Sequence, residues 1–266
     1  MRARKRGAKM IDIPFLELNY FAFDLPVPYK LKDEKVVEIS PISLDKSALF
    51  LAAAHIISID KNSLGSVEII QMNYLNFLCK KVFAESEQEI SCFNIILSLC
   101  LGIKQWQLRN LDDGKPCIYD MERHLIITHK EFDDIRRIIM FQNLLNYDDE
   151  YISPELKQAF SEVDELKNKG IVEPTTERKI SIITAHCGLS KSEQLKMTFR
   201  AHQSLFQEVY GEVDYVTKRP IAVYAGKDKD IENWIFHKQK NKYDKYVTSV
   251  EAYNKSMGGN GNVAQK

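Results

Sequence analysis

The chain has 266 residues, 44% of them hydrophobic, which is enough for one large or two smaller domains with a substantial core. Its 37 basic and 37 acidic residues balance, which excludes a global electrostatic attraction to nucleic acid or to an anionic membrane. No apolar run is long enough to span a bilayer, and the basic N-terminus is not followed by the apolar segment of a signal peptide. The sequence therefore predicts a protein with no membrane partner.

The five cysteines are odd in number, lack Cys-x-x-Cys spacing and mostly stand among apolar residues. They are Cys79, Cys92, Cys100, Cys117 and Cys187. This pattern favours reduced, buried thiols, which fit a cytoplasmic protein.

The N-terminal part is predicted to contain a small sheet. Residues 1–10 form a basic arm, interpreted as solvated, with contact to nucleic acid or an acidic protein surface as the alternative. The segments 29–31 and 36–39 flank the turn-like 32–35 and predict a β-hairpin. A second hairpin is predicted within 104–127, around the turn signal Asp-Asp-Gly-Lys-Pro.

Three helices are predicted between these hairpins. The first runs from Asp45 to Ile57, with an inner face that comprises Leu49, Phe50, Ala53 and Ile57. A second covers 67–83, and a third, more apolar helix covers 90–101 and ends at Gly102. Its apolar composition places it at the centre of the first core.

The stretch from Thr128 to Val216 predicts several amphipathic helices. Thr128 and Glu131 form a capping box that starts the first, and Ser153 with a proline at the first helical position starts the second. Gly170 ends the second helix. The glutamate of the first box is followed by apolar residues at three- and four-residue spacing, so one face of that helix belongs to a core.

A third helix of this stretch presents Ile180, Ile183 and Cys187 on one face and ends at Gly188. Ser190 and Glu193 predict a second capping box, and Thr198 starts a further helix whose apolar side comprises Phe199, Leu205, Phe206 and Val209. This outline is shared by compact helical packing units and by DNA-binding helix-turn-helix motifs.

The predicted fold class is therefore α+β and predominantly helical, with N-terminal β-hairpins and helices followed by a helical domain. The predicted divisions are a basic arm (1–10), an N-terminal α+β domain (11–128), a helical domain (129–225) and an extended C-terminal segment (226–266). The last segment contains an apolar anchor, Trp234 to Phe236, and a glycine-rich end that predicts flexibility.

No group of residues combines catalytic chemistry with suitable spacing, so no enzyme, cofactor or metal is predicted. His124, His129 and Cys117 match no common zinc pattern. His186 and Cys187 are adjacent on a helix and point in different directions, which favours a packed thiol beside an exposed imidazole. The acid pairs lie in turns or linkers, and no glycine pattern would hold a phosphate.

Nucleic-acid binding has two weak signals. Lysines and tyrosines alternate over 238–246, which is interpreted as a solvated helix with packed tyrosines rather than a single-strand binder. A DNA-binding regulator could use 175–209 as a helix-turn-helix, but its reading helix offers only Arg200 as a strong base. Nucleic acid is therefore not the expected partner.

Several segments together resemble a family of tailed-phage proteins, the tail assembly chaperones and base-plate assembly factors. They are DGKP, EFDDIRRIIMFQN, YISPELKQA, CGLSKSEQLKMTFRAHQSLFQEV and NWIFHKQKNKYDKYVTSVEAYNK. The resemblance covers most of the chain, from about Leu25 to about Lys255. The run from Gly188 through Ser190 to Phe206 is similar to the recurring helical module of these chaperones, from which His202 departs, since members often have an acidic or apolar residue there.

The resemblance implies a non-enzymatic tail or base-plate assembly factor that acts through protein-protein contacts. Its partners would be tail proteins such as the tape measure or base-plate components, met in the host cytoplasm or in the virion tail. A structural base-plate component retained in the virion is the alternative. The candidate partner-binding side chains are Leu195, Met197, Phe199, Leu205, Phe206, Trp234 and Phe236.

Overall fold

The structure is a computed structural model that describes residues 11–64, 66–145, 147–148, 152–170, 172–227, 231 and 233–235. Helices account for 61% of the described residues and strands for 11%, and the strands form two small antiparallel sheets. The predicted α+β class with a helical majority is confirmed.

The described residues form ten α-helices and five strands. The helices are α1 (Ile13–Asn19), α2 (Ser47–Ser58), α3 (Val67–Gln71), α4 (Tyr74–Phe77), α5 (Glu87–Leu101), α6 (His129–Asn143), α7 (Pro154–Lys167), α8 (Thr176–Cys187), α9 (Lys191–Lys196) and α10 (Phe199–Tyr224). The strands are β1 (Val27–Lys30), β2 (Val36–Ile39), β3 (Trp106–Asn110), β4 (Pro116–Asp120) and β5 (Leu125–Thr128).

The predicted N-terminal hairpin is confirmed. Strands β1 and β2 pair antiparallel with Val27 opposite Ile39, and the Leu31 N–H donates to the Lys35 carbonyl across the turn (2.8 Å). Val37 and Ile39 are fully buried while their neighbours along β2 are exposed. Because strand side chains alternate between faces, the hairpin has one face in the core.

The second hairpin is also confirmed, and a third strand extends it. Gly114 takes a left-handed conformation (φ +74°) in the turn, where the Asp113 carboxylate accepts the Lys115 N–H (3.1 Å). Strand β5 pairs antiparallel with β4, with Ile118 opposite Ile127, and gives the sheet order β3-β4-β5. The central strand β4 carries most of the buried residues of this sheet.

Helix α2 buries Phe50, Ala53 and Ile57 as predicted. The prediction for Leu49 is wrong, because this side chain is 50% exposed. Leu49 and Ile56 lie on the same side of the helix, and only Ile56 is buried. The elements that cover this side therefore reach the second half of α2 and not its first turn.

The single helix predicted over 67–83 is wrong, because the chain breaks at Met72. Met72 and Asn73 are extended, and the next helix, α4, starts at Tyr74 and passes directly into a π-helical turn, Leu78–Val82. The Tyr74 N–H donates to the carboxylate of Asp133 on α6 (2.7 Å). A side chain distant in sequence thus caps α4 and fixes the break.

Helix α5 ends at Gly102 as predicted, where φ is +65°. Its inner face is fully buried at Phe93, Ile96, Leu97 and Cys100. The Phe93 ring meets the ring of Phe132 on α6 edge-on, with centroids 5.4 Å apart. The apolar segment identified in the sequence is therefore central to the first core.

Helix α6 joins the elements of this core through polar side chains as well as apolar ones. Its capping box forms as predicted, with Glu131 Oε2 accepting the Thr128 N–H (2.8 Å). The second oxygen, Oε1, accepts the Lys32 N–H in the hairpin turn (2.7 Å). At the other end, the buried Asn143 side chain accepts the Ile42 N–H (2.8 Å). The side chains of α6 thus accept backbone N–H groups from three places outside the helix.

The compact units differ from the predicted domains. One unit comprises Met1–Glu150 with Pro174–Tyr210, and the other comprises Tyr151–Glu173 with Gly211–Lys266. The predicted boundary after 128 separates α6 from the N-terminal domain, whereas Phe132, Ile135 and Ile139 lie in the same buried cluster as the hairpins and α5. An amphipathic helix belongs to the core that its apolar face meets, which the sequence does not specify.

The predicted starts and stops in the second half are confirmed. The Ser153 hydroxyl accepts the Leu156 N–H at the start of α7 (3.4 Å), and Gly170 is left-handed after its end. The Ala201 N–H donates to the Thr198 hydroxyl at the start of α10 (3.1 Å). Helix α10 continues past Val216 to Tyr224, through a proline.

We expect Glu131→Ala to lower the free energy of unfolding by about 2 to 4 kcal/mol, because a buried carboxylate that caps α6 and holds the hairpin turn is lost. Urea unfolding of the purified protein measures this. Glu193→Ala is the matched control, because Glu193 occupies the same position in the exposed capping box of α9. Its loss should be clearly smaller, and equal losses would contradict the role given to Glu131.

Candidate protein-binding surface

The predicted helical module, from α8 to the start of α10, is organised by a buried glutamine. Gln194 has no exposed surface, and its Nε2 donates to the Thr184 hydroxyl (2.9 Å) and the Leu189 carbonyl (3.1 Å). Its oxygen lies 3.3 Å from His202 Nε2. Because an amide oxygen only accepts, His202 carries its proton on Nε2. His202 is thus a buried hydrogen-bond donor.

This module is attached to the segment that follows the first hairpin. The Phe199 N–H donates to the Ile42 carbonyl (2.6 Å), and the Leu44 N–H donates to the Met197 carbonyl (2.8 Å). The two segments form an isolated antiparallel bridge at Ser43. Backbone bonds of this kind fix the start of α10 within its compact unit.

The predicted partner-binding side chains differ in their exposure. Phe199 is only 8% exposed, so it does not line an accessible surface. Four further candidates are half-buried: Leu195, Met197, Leu205 and Phe206. In the second unit Trp234 is half-buried next to Gly211. Phe236 lies outside the described residues.

Along α10, mostly apolar residues recur at alternating intervals of three and four residues. Its positions are Phe199, His202, Phe206, Val209, Val213, Val216, Pro220 and Val223. This is the a and d spacing of a heptad repeat, which places all eight positions on one side of the helix. The first four are buried or half-buried, whereas the last four are exposed. We call the last four the α10 stripe.

The exposure of the α10 stripe is substantial. Val213 is 44% exposed, Val216 60% and Val223 56%, and the adjacent Tyr224 is 97% exposed. Three of these residues, together with Tyr215, Arg219 and Pro220, line a shallow depression of about 590 Å³. Adjacent exposed apolar side chains of this kind can form a protein-protein contact site.

The opposite side of the same helix segment faces the interior of its unit. Ala222 is buried, and an added Cβ at Gly211 would lie 3.8 Å from the Trp234 ring. At helical spacing these two positions lie on the side opposite to Val213 and Val216. The C-terminal part of α10 is thus a helix with one face packed and a second apolar face exposed.

Polar groups border the stripe and define its end. The Arg219 guanidinium, which lines the same depression as Val216 and Val223, donates to the Tyr215 hydroxyl (2.6 Å). Pro220 has no N–H to donate to the carbonyl four residues earlier, so an acceptor is left on the exposed side. These features give the stripe one flanking cation and one backbone acceptor.

The structure argues against the helix-turn-helix interpretation, because the strongest base of its reading helix is already engaged within the protein. The Arg200 guanidinium donates to the Phe141 carbonyl (2.7 Å) and to the Glu17 carboxylate. His202, the next basic side chain, is 1% exposed. Phosphate contacts dominate affinity for DNA, and neither group is available to make them.

The other histidines and cysteines considered in the sequence analysis lie in separate parts of the structure. The Tyr119 hydroxyl pairs with His124 Nδ1 (2.6 Å), and His129 is buried at the start of α6. All five cysteines are free thiols, and the prediction that Cys187 is packed is wrong, because it is exposed at the last position of α8. The lysine- and tyrosine-rich run over 238–246 lies outside the described residues.

Comparisons with known proteins identify no family for this chain. No family model matches its sequence, and neither the curated proteins nor the solved structures include a match. Among the described residues, no helix has both the length and the apolar character needed to cross a membrane.

We expect the free energy of unfolding to fall as the pH is lowered from 7.5 to 5. Burial, followed by the nearby charge of Lys179, lowers the pKa of His202, and burial likewise lowers the pKa of His129. The unfolded chain therefore binds protons that the folded chain excludes below the usual histidine value of about 6.5. The contribution of these two histidines to stability is complete above that pH and decreases gradually as the pH falls below it.

Urea unfolding of wild type, His202→Gln and His129→Gln at the two pH values tests this expectation. Each substitution removes one of the two buried imidazoles, so each variant should lose less stability than wild type between pH 7.5 and 5. A full wild-type decrease in both variants would contradict it.

Proposed function

We propose that the protein is a non-enzymatic assembly factor of tailed phages, chaperone-like, which binds a helix of a tail protein. The observation that supports the binding mode is the α10 stripe, an exposed apolar row on a helix whose other face is packed. The phage setting rests on the resemblance of the segments quoted above. The partner is a tail component such as the tape measure or a base-plate protein, met in the host cytoplasm.

The spacing of the stripe favours a helical partner. From Val213 to Val223 it spans about 15 Å, or nearly three turns. Heptad spacing matches a second helix that crosses at about 20°, because side chains then fit into the gaps between those of the partner. A tape-measure protein is long and helix-prone, so it offers many segments of this kind.

The limited length of the stripe also suits a transient complex. A contact of three turns buries few side chains, and association must offset the loss of free motion and the ordering of the partner. Exposed apolar helices of unassembled tail proteins would be covered, and then released when their final partners bind. The Arg219 side chain beside the stripe would restrict the orientation of the partner more than it would add affinity.

Co-purification of the tagged full chain with the tape-measure protein from its own gene neighbourhood tests the proposal. We expect a complex at moderate salt, with the tape-measure protein identified by mass spectrometry. A structural base-plate protein would instead be found in washed, purified particles. Absence of any tail protein from the eluate, with nucleic acid recovered in its place, would overturn the proposal.

We expect Val216→Glu to weaken binding of the tail partner by about 10-fold or more, because it places a charge in an apolar contact. Leu49→Glu is the matched control, since Leu49 is also a half-exposed apolar residue on a helix but belongs to α2. Titration calorimetry measures both affinities, and thermal unfolding verifies that both variants fold. Equal affinities in the two variants would exclude the stripe as the binding surface.

A further inference from the structure

Three side chains with metal-binding atoms lie together on the surface of the first compact unit. Among the described residues, the cluster comprises His55 on α2 with Glu89 and Cys92 on α5. One imidazole nitrogen, one carboxylate oxygen and the thiol sulfur all lie within 4.8 Å of one another. Glu89 and Cys92 are three residues apart, which places them on one face of α5 next to α2.

The imidazole of His55 has an acceptor at both nitrogens. Its Nδ1 lies 3.0 Å from the Ala52 carbonyl, and its Nε2 lies 2.8 Å from the Glu89 carboxylate. A neutral imidazole has only one N–H, so it can donate to only one of these oxygens. With Nδ1–H donating to the carbonyl, a cation is required between Nε2 and the carboxylate. That cation is a proton or a metal ion.

The Nδ1 contact has the arrangement found behind metal-binding histidines. A ligating imidazole almost always donates its other N–H to a backbone carbonyl, carboxylate or water, which fixes the ring and the tautomer. Here the carbonyl belongs to Ala52, one turn earlier on the same helix. The lone pair of Nε2 is then directed at Glu89, and the Cys92 sulfur lies within 4.8 Å of a ligand atom of each of the other two side chains.

We propose that His55, Glu89 and Cys92 form a zinc site with three protein ligands and one open position. Nitrogen, sulfur and carboxylate oxygen are the donors that zinc takes, whereas calcium and magnesium prefer oxygen alone. Around a tetrahedral zinc ion, ligands at about 2.0 to 2.3 Å lie roughly 3.3 to 3.8 Å apart. Small side-chain rotations would bring the three atoms to this spacing. This site is independent of the α10 stripe.

Metal binding at this place would also affect the stability of the unit. A divalent cation would bind the Glu89 carboxylate and the Cys92 sulfur and displace the thiol proton into solvent. It would also link α2 to α5, two helices that pack against each other in this unit. Zinc should therefore raise the melting temperature.

A plain ion pair between His55 and Glu89 is the competing explanation, and it assigns no part to the sulfur. Cobalt(II) distinguishes the two, because a cobalt-thiolate bond gives a charge-transfer band in the near ultraviolet. We expect the purified full chain to bind one equivalent of cobalt(II) with this band, and added zinc to abolish the band. A protein that shows no such band at stoichiometric cobalt overturns the proposal.

Variants identify the ligands. Cys92→Ser should lose the band, and His55→Gln and Glu89→Gln should bind cobalt at least about 10-fold more weakly, since each removes one of three ligands. Cys187→Ser is the matched control, because Cys187 is exposed and outside the cluster, and it should retain wild-type binding. Wild-type binding by Cys92→Ser overturns the proposal, as does loss of the band in Cys187→Ser. Thermal unfolding of each apoprotein verifies folding.

The metal site and the proposed assembly function can be tested separately. Val216→Glu should bind cobalt as the wild type does, because the stripe and the cluster lie in different compact units. Loss of partner binding with intact cobalt binding would concern the stripe alone. Loss of cobalt binding in Cys92→Ser with an intact tail complex would establish the metal site alone.

Discussion

The first compact unit depends on one buried carboxylate, that of Glu131. Its two oxygens accept N–H groups from the residue that caps α6 and from the hairpin turn at Lys32. Asp133, two residues later, accepts the Tyr74 N–H and so defines the start of α4. Charged acceptors make strong hydrogen bonds where little water competes, and a lost partner would leave buried donors unsatisfied. Helix α6 therefore orients the hairpin and the helices around it.

The long helix α10 combines two roles along a single apolar repeat. In its first half the repeat is covered, and His202 donates to a buried glutamine that holds α8 and α9. In its second half the same spacing continues through Val216 and Val223 with these side chains exposed. A helix that is anchored at one end and apolar along an exposed face at the other is suited to receive another helix. This is the physical basis of the proposed assembly function.

The candidate surface was only partly predictable. The sequence singles out apolar residues such as Phe199 and Phe206, because the run 188–206 resembles the helical module of phage assembly chaperones. These side chains are buried or half-buried, and the exposed ones begin about two turns beyond Phe206. The heptad steps from Val209 to Val223 were visible in the sequence and could have extended the pattern. Spacing shows that residues share a face, but it does not show which part of that face is covered.

The sequence by itself determined the local features: both capping boxes, the glycine that ends α5, the two hairpin turns and the predominantly helical class. These depend on hydrogen bonds and backbone preferences within a few residues of chain. Only the tertiary structure decided the break before Tyr74, the membership of α6 in the first unit, the exposure of the α10 stripe and the meeting of His55 with Cys92. Each of these depends on groups far apart in the chain, whose proximity is set by packing and not by local sequence.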